Sequence, residues 1–271
     1  MPELPEVESI RRKLVPMVAG RRIRDVSAVA RNYAFLSDPG IIRKKLSGGT
    51  VEAIERRGKY LLLRLKQRGA LLIHLGMTGQ IFSHAYEPDK HVHMTLVFAG
   101  LRHPVYFRDP RKFGKLLWLD PGEEYTEPRL TKLGHDALSF SAEYLGKACR
   151  NRSVAIKSLL LNQSVLAGAG NIYADEALFT ARIRPTRRAR TLNSKETGAL
   201  TKALRNVLER AVKLGGSSIN DYIHPDGSEG YFQIEHKVYG REGAPCLTCA
   251  TAIKRSVIGQ RSAHYCPRCQ R

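Results

Sequence analysis

Four of the five cysteines fall within the last 26 residues, as Cys246-x2-Cys249 and Cys266-x2-Cys269 with sixteen residues between the pairs. A C-x2-C pair on a tight turn aims two thiolates at one point, and two such turns complete a tetrahedron. The pattern predicts one structural Zn2+, because four protein sulfurs leave no position open for water. Two disulfides are the alternative, which a reducing compartment disfavours. The same stretch carries Lys254, Arg255, Arg261, Arg268 and Arg271 and no acidic residue. Five cations on a small module suit DNA phosphates, and a purely structural clip is the plainer alternative. Cys149 stands outside the pattern and reads as a small buried apolar residue.

The opposite end offers a nucleophile. Loss of Met1 leaves Pro2 with a free secondary amine that can attack an electrophilic carbon and form an iminium ion. A free α-amino group titrates near ~8, and a helix start with cations nearby favours its neutral form. Glu3, beside it, can transfer protons. On these two residues alone, Pro2 could equally do no more than begin a helix. Met77, between two glycines in His74-Leu75-Gly76-Met77-Thr78-Gly79, is either a wedge that inserts between bases or a side chain folded back into the core. Tyr106 to Gly114 mixes cations and aromatics in a turn. Leu166-Ala167-Gly168-Ala169-Gly170-Asn171 places glycines ahead of a helix, where free N–H groups can hold a phosphate and Asn171 adds a donor. A Gly-rich turn between two helices is equally consistent with that stretch.

The positioning elements follow from periodicity. Leu4, Val7, Ile10, Leu14, Val15 and Val18 are spaced as one helix face over residues 3–18, with acids first and basic residues after them. From about 23 to 119 the pattern is strand-like, with strands at 60–65, 70–75, 93–98, 105–107 and 116–119, as in a β-sandwich or flattened barrel. After 133 it turns helical, with helices at 153–161, 171–181 and 194–214. Asn193 and Glu196 are placed to cap the last of these, and Gly215-Gly216 to end it. Residues 217–230 form a polar loop. The fold class is therefore α+β multidomain: a β-rich domain with an N-terminal helix over 1–120, a linker over 121–134, a helical domain over 135–230 and a metal module over 236–271. The chain carries 45 Lys and Arg against 25 Asp and Glu, a net charge of +20, and 42% hydrophobic residues. That balance excludes intrinsic disorder and points to a polyanionic partner. No apolar run reaches 18 residues and no secretory leader is visible, so the expected location is cytoplasmic.

MPELPEVE at the start, RRGKYLL at 56–62, HLGMTG at 74–79, DPRKFG at 109–114, GNIYADEALF at 170–179 and the ending VYGREGAPC…CPRCQ together resemble the bacterial formamidopyrimidine-DNA glycosylase family, in order and over the full length. The resemblance implies an N-terminal β-sandwich, a helix–two-turn–helix domain and a single zinc finger, with DNA held in the cleft between them. It implies Pro2 as the nucleophile at C1′ of the damaged nucleoside, Glu3 as general acid/base, Lys59 as the lysine contacting phosphate and moving protons in β-elimination, and Arg261 as the arginine of phosphate binding and δ-elimination. Met77, Arg111 and Phe113 resemble the trio that fills the hole left by the flipped lesion, with Arg111 on the orphaned cytosine. Asn171 matches a phosphate-contacting asparagine, and His91 and Arg152 fall near positions expected to meet DNA. The 217–230 loop corresponds to the one that closes over the flipped base. Leu133-Gly134-His135-Asp136-Ala137-Leu138 departs from the family's proline-containing segment.

The implied activity is removal of oxidised purines such as 8-oxoguanine and formamidopyrimidines from double-stranded DNA. A Pro2 Schiff base and β,δ-elimination by a monomer follow, with no cofactor beyond zinc. Two rivals are an endonuclease VIII-type glycosylase for oxidised pyrimidines and a non-enzymatic zinc-finger protein that senses distorted DNA. The Met77/Arg111/Phe113 set favours the purine enzyme over the first, and retention of Met1 would favour the second.

Overall fold

The helix read at the N-terminus is α1, Leu4–Val18, and its apolar positions Leu4, Val7, Ile10, Leu14 and Val18 are all buried. Glu3 is the N-cap of a reciprocal capping box in which its N–H donates to Glu6 Oε2 at 2.8 Å. A computed structural model describes residues 2–28, 33–218 and 223–271.

Two four-stranded antiparallel sheets follow. One runs in the order β1 (Ile23–Ala28), β6 (Val92–Phe98), β7 (Val105–Arg108), β5 (Gln80–Phe82); the other runs β2 (Val51–Arg57), β3 (Tyr60–Leu65), β4 (Gly69–His74), β8 (Lys115–Leu119). Leu61, Leu63, Leu71 and Ile73 from the second sheet share one core with Met94, Leu96 and Phe98 from the first and with Val7, Ile10 and Leu14 of α1. The architecture is therefore a sandwich with a helix packed into its core. One helix interrupts the stretch read as strands: α2, Pro39–Leu46. Asp38 caps it by accepting from the N–H groups of Gly40 (2.8 Å) and Ile41 (3.3 Å), and Pro39 opens its first turn. The Asp-Pro pair is a start signal, but eight residues carry too little periodicity to expose the helix behind it. A four-residue helix, α3 (Pro128–Thr131), follows the sandwich.

The second half contains α4 (Ala142–Cys149), α5 (Ile156–Leu161), α6 (Asn171–Thr180) and α7 (Ser194–Lys213). Two short parallel strands, β9 (His135–Asp136) and β10 (Leu166–Ala167), lie among them, and the hairpin β11 (Lys254–Ile258) and β12 (Arg261–Tyr265) closes the set. Asn193 and Glu196 cap α7 reciprocally at 2.9 and 3.0 Å, and Gly215 and Gly216 leave it at φ +80° and +82°. α5 starts three residues later than its sequence pattern because Ala155 bridges Arg188 and the Ile156 N–H donates to the Arg187 carbonyl. The atypical His135-Asp136 segment is ordered: His135 stacks on Tyr144 with ring centroids 3.9 Å apart.

The chain divides into two compact units, residues 1–131 with 214–231 and residues 132–213 with 232–271. The helices α4 to α7 and the cysteine module therefore belong to one unit. Among the described residues no helix is long and apolar enough to cross a membrane.

Candidate active site and nucleic-acid interface

Pro2 is buried and lies ahead of the N-cap, outside α1; Pro5 is the proline of the first turn. Its position is thus not that of a helix-starting proline. Glu3 is only 2% exposed. Glu6 sets the geometry around both. One carboxyl oxygen takes the Glu3 N–H, and the other takes the N–H of Ser217 at 2.8 Å. Gly216 has no room for a side chain, since a Cβ there would meet Glu6 Oε1 at 2.6 Å. A single carboxyl group therefore joins the backbone beside Pro2 to the root of the 217–230 loop. Met1 and residues 219–222 of that loop lie outside the described residues.

Lys59 occupies the two-residue turn between β2 and β3, where Gly58 takes φ +57°, and it is buried. Arg56 ties that turn to α1, donating to the Gly58 carbonyl and to Glu8 Oε2, each at 3.1 Å. Glu8 also receives Arg11 at 2.7 Å and Arg12 at 2.9 Å. Burial would raise its pKa, but hydrogen bonds from Arg11 and Arg12, with the charges of Arg11 and Arg56, outweigh burial and hold it at about 2. His74 faces Tyr60 with ring centroids 4.8 Å apart, and its Nδ1 accepts the Gly76 N–H at 3.1 Å. Burial first, then the charges of Lys59 and Lys115, push it down to about 4, so the imidazole is neutral at physiological pH.

Met77 and the Arg111–Phe113 pair stand on two crossovers between the sheets. The first joins β4 to β5 and the second joins β7 to β8; His74 pairs with Lys115 and Gln80 with Arg108, so the crossovers run side by side. Met77 is 42% exposed and Phe113 46% exposed, so neither is folded into the core. The Arg111 guanidinium lies 4.7 Å from the Phe113 ring centroid. An exposed methionine, arginine and phenylalanine on adjacent tips form a row able to enter a gap between stacked bases. His91, half-buried in the turn before β6, accepts the Asp109 N–H through its carbonyl at 2.9 Å.

In the second unit Asn171 opens α6, and its Nδ2 donates to Ser262 Oγ at 3.3 Å. Arg261 is the exposed first residue of β12, just after a tight turn with Gly259 at φ +55° and Gln260 at φ +62°. Arg152 is exposed, and its carbonyl accepts the Arg190 N–H at 3.0 Å. Buried polar groups hold the hairpin against the helices. Lys157 and Asp175 are both 0% exposed and pair at 2.6 Å. Lys157 also donates to the Ser262 carbonyl, while Asp175 Oδ2 takes the His264 N–H at 2.9 Å. Glu176 accepts the N–H groups of Lys237, Val238 and Tyr239 at 2.9–3.0 Å, and burial nonetheless pushes its carboxyl above the usual range.

The four sulfurs of Cys246, Cys249, Cys266 and Cys269 all lie within 4.8 Å of one another. Cys246 and Cys269 are 3.9 Å apart, and Cys249 and Cys266 3.5 Å. A tetrahedron with Zn–S bonds of ~2.3 Å requires sulfurs about 3.8 Å apart, so the set fits one zinc ion. The Thr248 N–H donates to Cys246 Sγ and the Cys269 N–H to Cys266 Sγ, each at 3.4 Å. Cys149 is buried, and burial pushes its thiol up to about 11, as expected of an inert core residue.

Sequence reasoning missed the groups that hold these residues in place: Glu6, Glu8, His74, Asp109, Lys157, Asp175 and Glu176. Only Glu6 carried a local signal, three residues after Glu3 in a capping-box spacing.

Three family models match the chain: the formamidopyrimidine-DNA glycosylase N-terminal domain over residues 1–116, its H2TH domain over 133–222, and the zinc finger found in FPG and IleRS over 243–271. The formamidopyrimidine-DNA glycosylase of Thioalkalivibrio sulfidiphilus is 43% identical over 277 residues, covering all of both chains. The crystal structure of MutM (Fpg) from Thermus thermophilus superposes with a TM-score of 0.89 at 43% identity, covering 99% of this chain and 98% of that one. Lactococcus lactis Fpg, solved with DNA containing an abasic site and with DNA containing N7-benzyl-Fapy-dG, gives TM-scores of 0.91 at 33% identity over the whole of both chains. On sequence, fold and metal module alike, the chain belongs to the formamidopyrimidine-DNA glycosylase family.

Proposed function

We propose that this chain is a bifunctional DNA glycosylase that excises oxidised purines from duplex DNA and cleaves the strand at the resulting abasic site. The observation that carries the mechanism is the placement of Pro2, ahead of a capped helix, with Glu3 buried at its side and Glu6 fixing the backbone between them. Once Met1 is removed, the Pro2 nitrogen attacks C1′ and the bond from C1′ to the base breaks, the base leaving with a proton. Sugar-ring opening gives an iminium ion. Loss of the C2′ proton then expels the 3′ phosphate, and a second elimination expels the 5′ phosphate. Glu3 moves the protons at the sugar, and Lys59 holds phosphate and assists the first elimination. Its neighbour His74 stays neutral and adds no charge of its own.

Arg261 and Asn171 bind phosphate, Arg261 with a role in the second elimination, while Met77, Arg111 and Phe113 fill the vacated position. His91 and Arg152 lie at positions that meet DNA. Zinc, bound by the four cysteines, shapes the β11–β12 hairpin and takes no part in the chemistry. The net charge of +20 supports DNA as the partner of a monomer acting at the nucleoid. The domain division that accompanies this reading is 1–120, 135–230 and 236–271, with a linker at 121–134. Borohydride added during turnover should trap the protein covalently on 8-oxoguanine DNA; Pro2→Gly should lose most activity, and retained Met1 should abolish trapping. Undiminished trapping with Met1 in place would move the nucleophile elsewhere, to Lys59 first.

A further inference from the structure

The Met77 crossover and the Arg111–Phe113 crossover are separate in sequence, yet one buried group joins them. Asp109 is 0% exposed. Its Oδ1 accepts the Thr78 hydroxyl at 2.5 Å and the Arg111 N–H at 3.3 Å, and its Oδ2 accepts the Gly114 N–H at 2.7 Å. Its carbonyl accepts hydrogen bonds from the Lys112 N–H at 3.2 Å and from His93 Nε2 at 2.8 Å. Burying a carboxylate is costly unless donors surround it. Two of the donors to its carboxylate belong to its own turn, and the third, Thr78, comes from 31 residues away. The backbones also touch: Gly76 sits at φ +63°, and a Cβ there would collide with the Phe113 carbonyl carbon. Between Arg111 and Phe113, Lys112 takes φ +56°, a conformation a non-glycine residue keeps only where its surroundings impose it.

We propose that Asp109 and Thr78 are positioning residues that make the two crossovers insert into DNA as one body, so that Met77, Arg111 and Phe113 enter the gap in a single step. The inference rests on the assignment of those three residues to the vacated position. Coupled loops place Arg111 on the orphaned base only when Met77 is also seated, so opposite-base preference depends on the Thr78 hydroxyl that Asp109 holds.

The test uses the full-length, zinc-loaded protein and single-turnover rates on 8-oxoguanine opposite cytosine, 8-oxoguanine opposite adenine, and a preformed abasic site. Thr78→Val keeps the shape and removes the donor; it should slow excision opposite cytosine about 10-fold with little change in KM and should narrow the preference for cytosine. Cleavage of the abasic site, which has no base to unpair, should change by less than about 3-fold. Thr78→Ser should restore both rate and preference, and Thr78→Ala should behave as Thr78→Val. The double variant Thr78→Val/Arg111→Ala should be no slower than Arg111→Ala, because both act on one insertion. Wild-type rate and preference in Thr78→Val, or effects that multiply in the double variant, would overturn the coupling. Arg111→Ala with wild-type rate and preference would instead overturn the assignment of the trio.

Discussion

The surroundings of Pro2 and those of Arg261 are built in opposite ways. Pro2 and Glu3 stand just ahead of a helix that contributes Val7, Ile10 and Leu14 to a core formed by both sheets, and the polar contacts around them only adjust a position that apolar packing already supports. Arg261 stands on a hairpin whose apolar base is small: Phe179, Val238 and Ile253 with the cysteines. Its place is set instead by the metal ligands, the Lys157–Asp175 pair and the three N–H groups on Glu176. A module too small to bury much apolar surface needs a metal and satisfied buried charges to hold one geometry. Damage to its polar groups should therefore cost more than comparable damage near Pro2.

Metal removal tests this contrast most severely, because a structural zinc contributes on the order of 10–16 kcal/mol in isolated fingers. Chelation or Cys249→Ser should expose the amides of residues 254–265 to hydrogen exchange and weaken DNA binding, while the sandwich amides stay protected. Active protein with well under one zinc per chain would break the comparison. Next comes Lys157→Met, which strands the Asp175 carboxylate in the interior and should cost about 3–5 kcal/mol in urea unfolding. A loss below about 1 kcal/mol would show that the hairpin does not depend on the pair.

The sandwich loops are the sharper test of specificity. Arg111 can donate to O2 and N3 of cytosine, whereas adenine presents a donor at N6. 8-Oxoguanine should therefore leave faster opposite cytosine, with Arg111→Ala removing a preference of roughly 1–3 kcal/mol, or about 5- to 150-fold. Equal excision opposite both bases, or better activity on oxidised pyrimidines, would favour the endonuclease VIII-type reading. The smallest effect belongs to Glu8. Its pKa of about 2 in the folded chain lies below its ordinary 4.5, so its contribution is complete above pH 4.5 and fades as pH falls toward 2. Glu8→Gln should melt below the wild type at pH 7, and the gap should close by pH 2; a gap independent of pH would mean that packing, not charge, is responsible.

Much of this architecture is legible in the sequence. The face of α1, five strands to within a residue or two, the reciprocal cap of α7 and the four cysteines are local patterns, and local patterns survive in one dimension. The short helix α2 and the late start of α5 are less legible, because eight residues carry little periodicity and a bridge to Arg188 depends on chain that comes later.

What the sequence determined by itself was which groups can do chemistry: an amine at Pro2 with a carboxyl beside it, four thiols at zinc spacing, and a large excess of cations. Tertiary structure alone decided which groups hold them. Lys157 reads as one more polar residue in a helix until Asp175 meets it in the interior, and Glu6 gives no sign that it will take an N–H 211 residues away. Asp109 likewise looks like a turn aspartate until Thr78 arrives from the other crossover. The reason is physical. Composition and spacing reveal what a side chain can donate, accept or attack, but a buried polar group is defined by its partner, and only the folded chain supplies the partner.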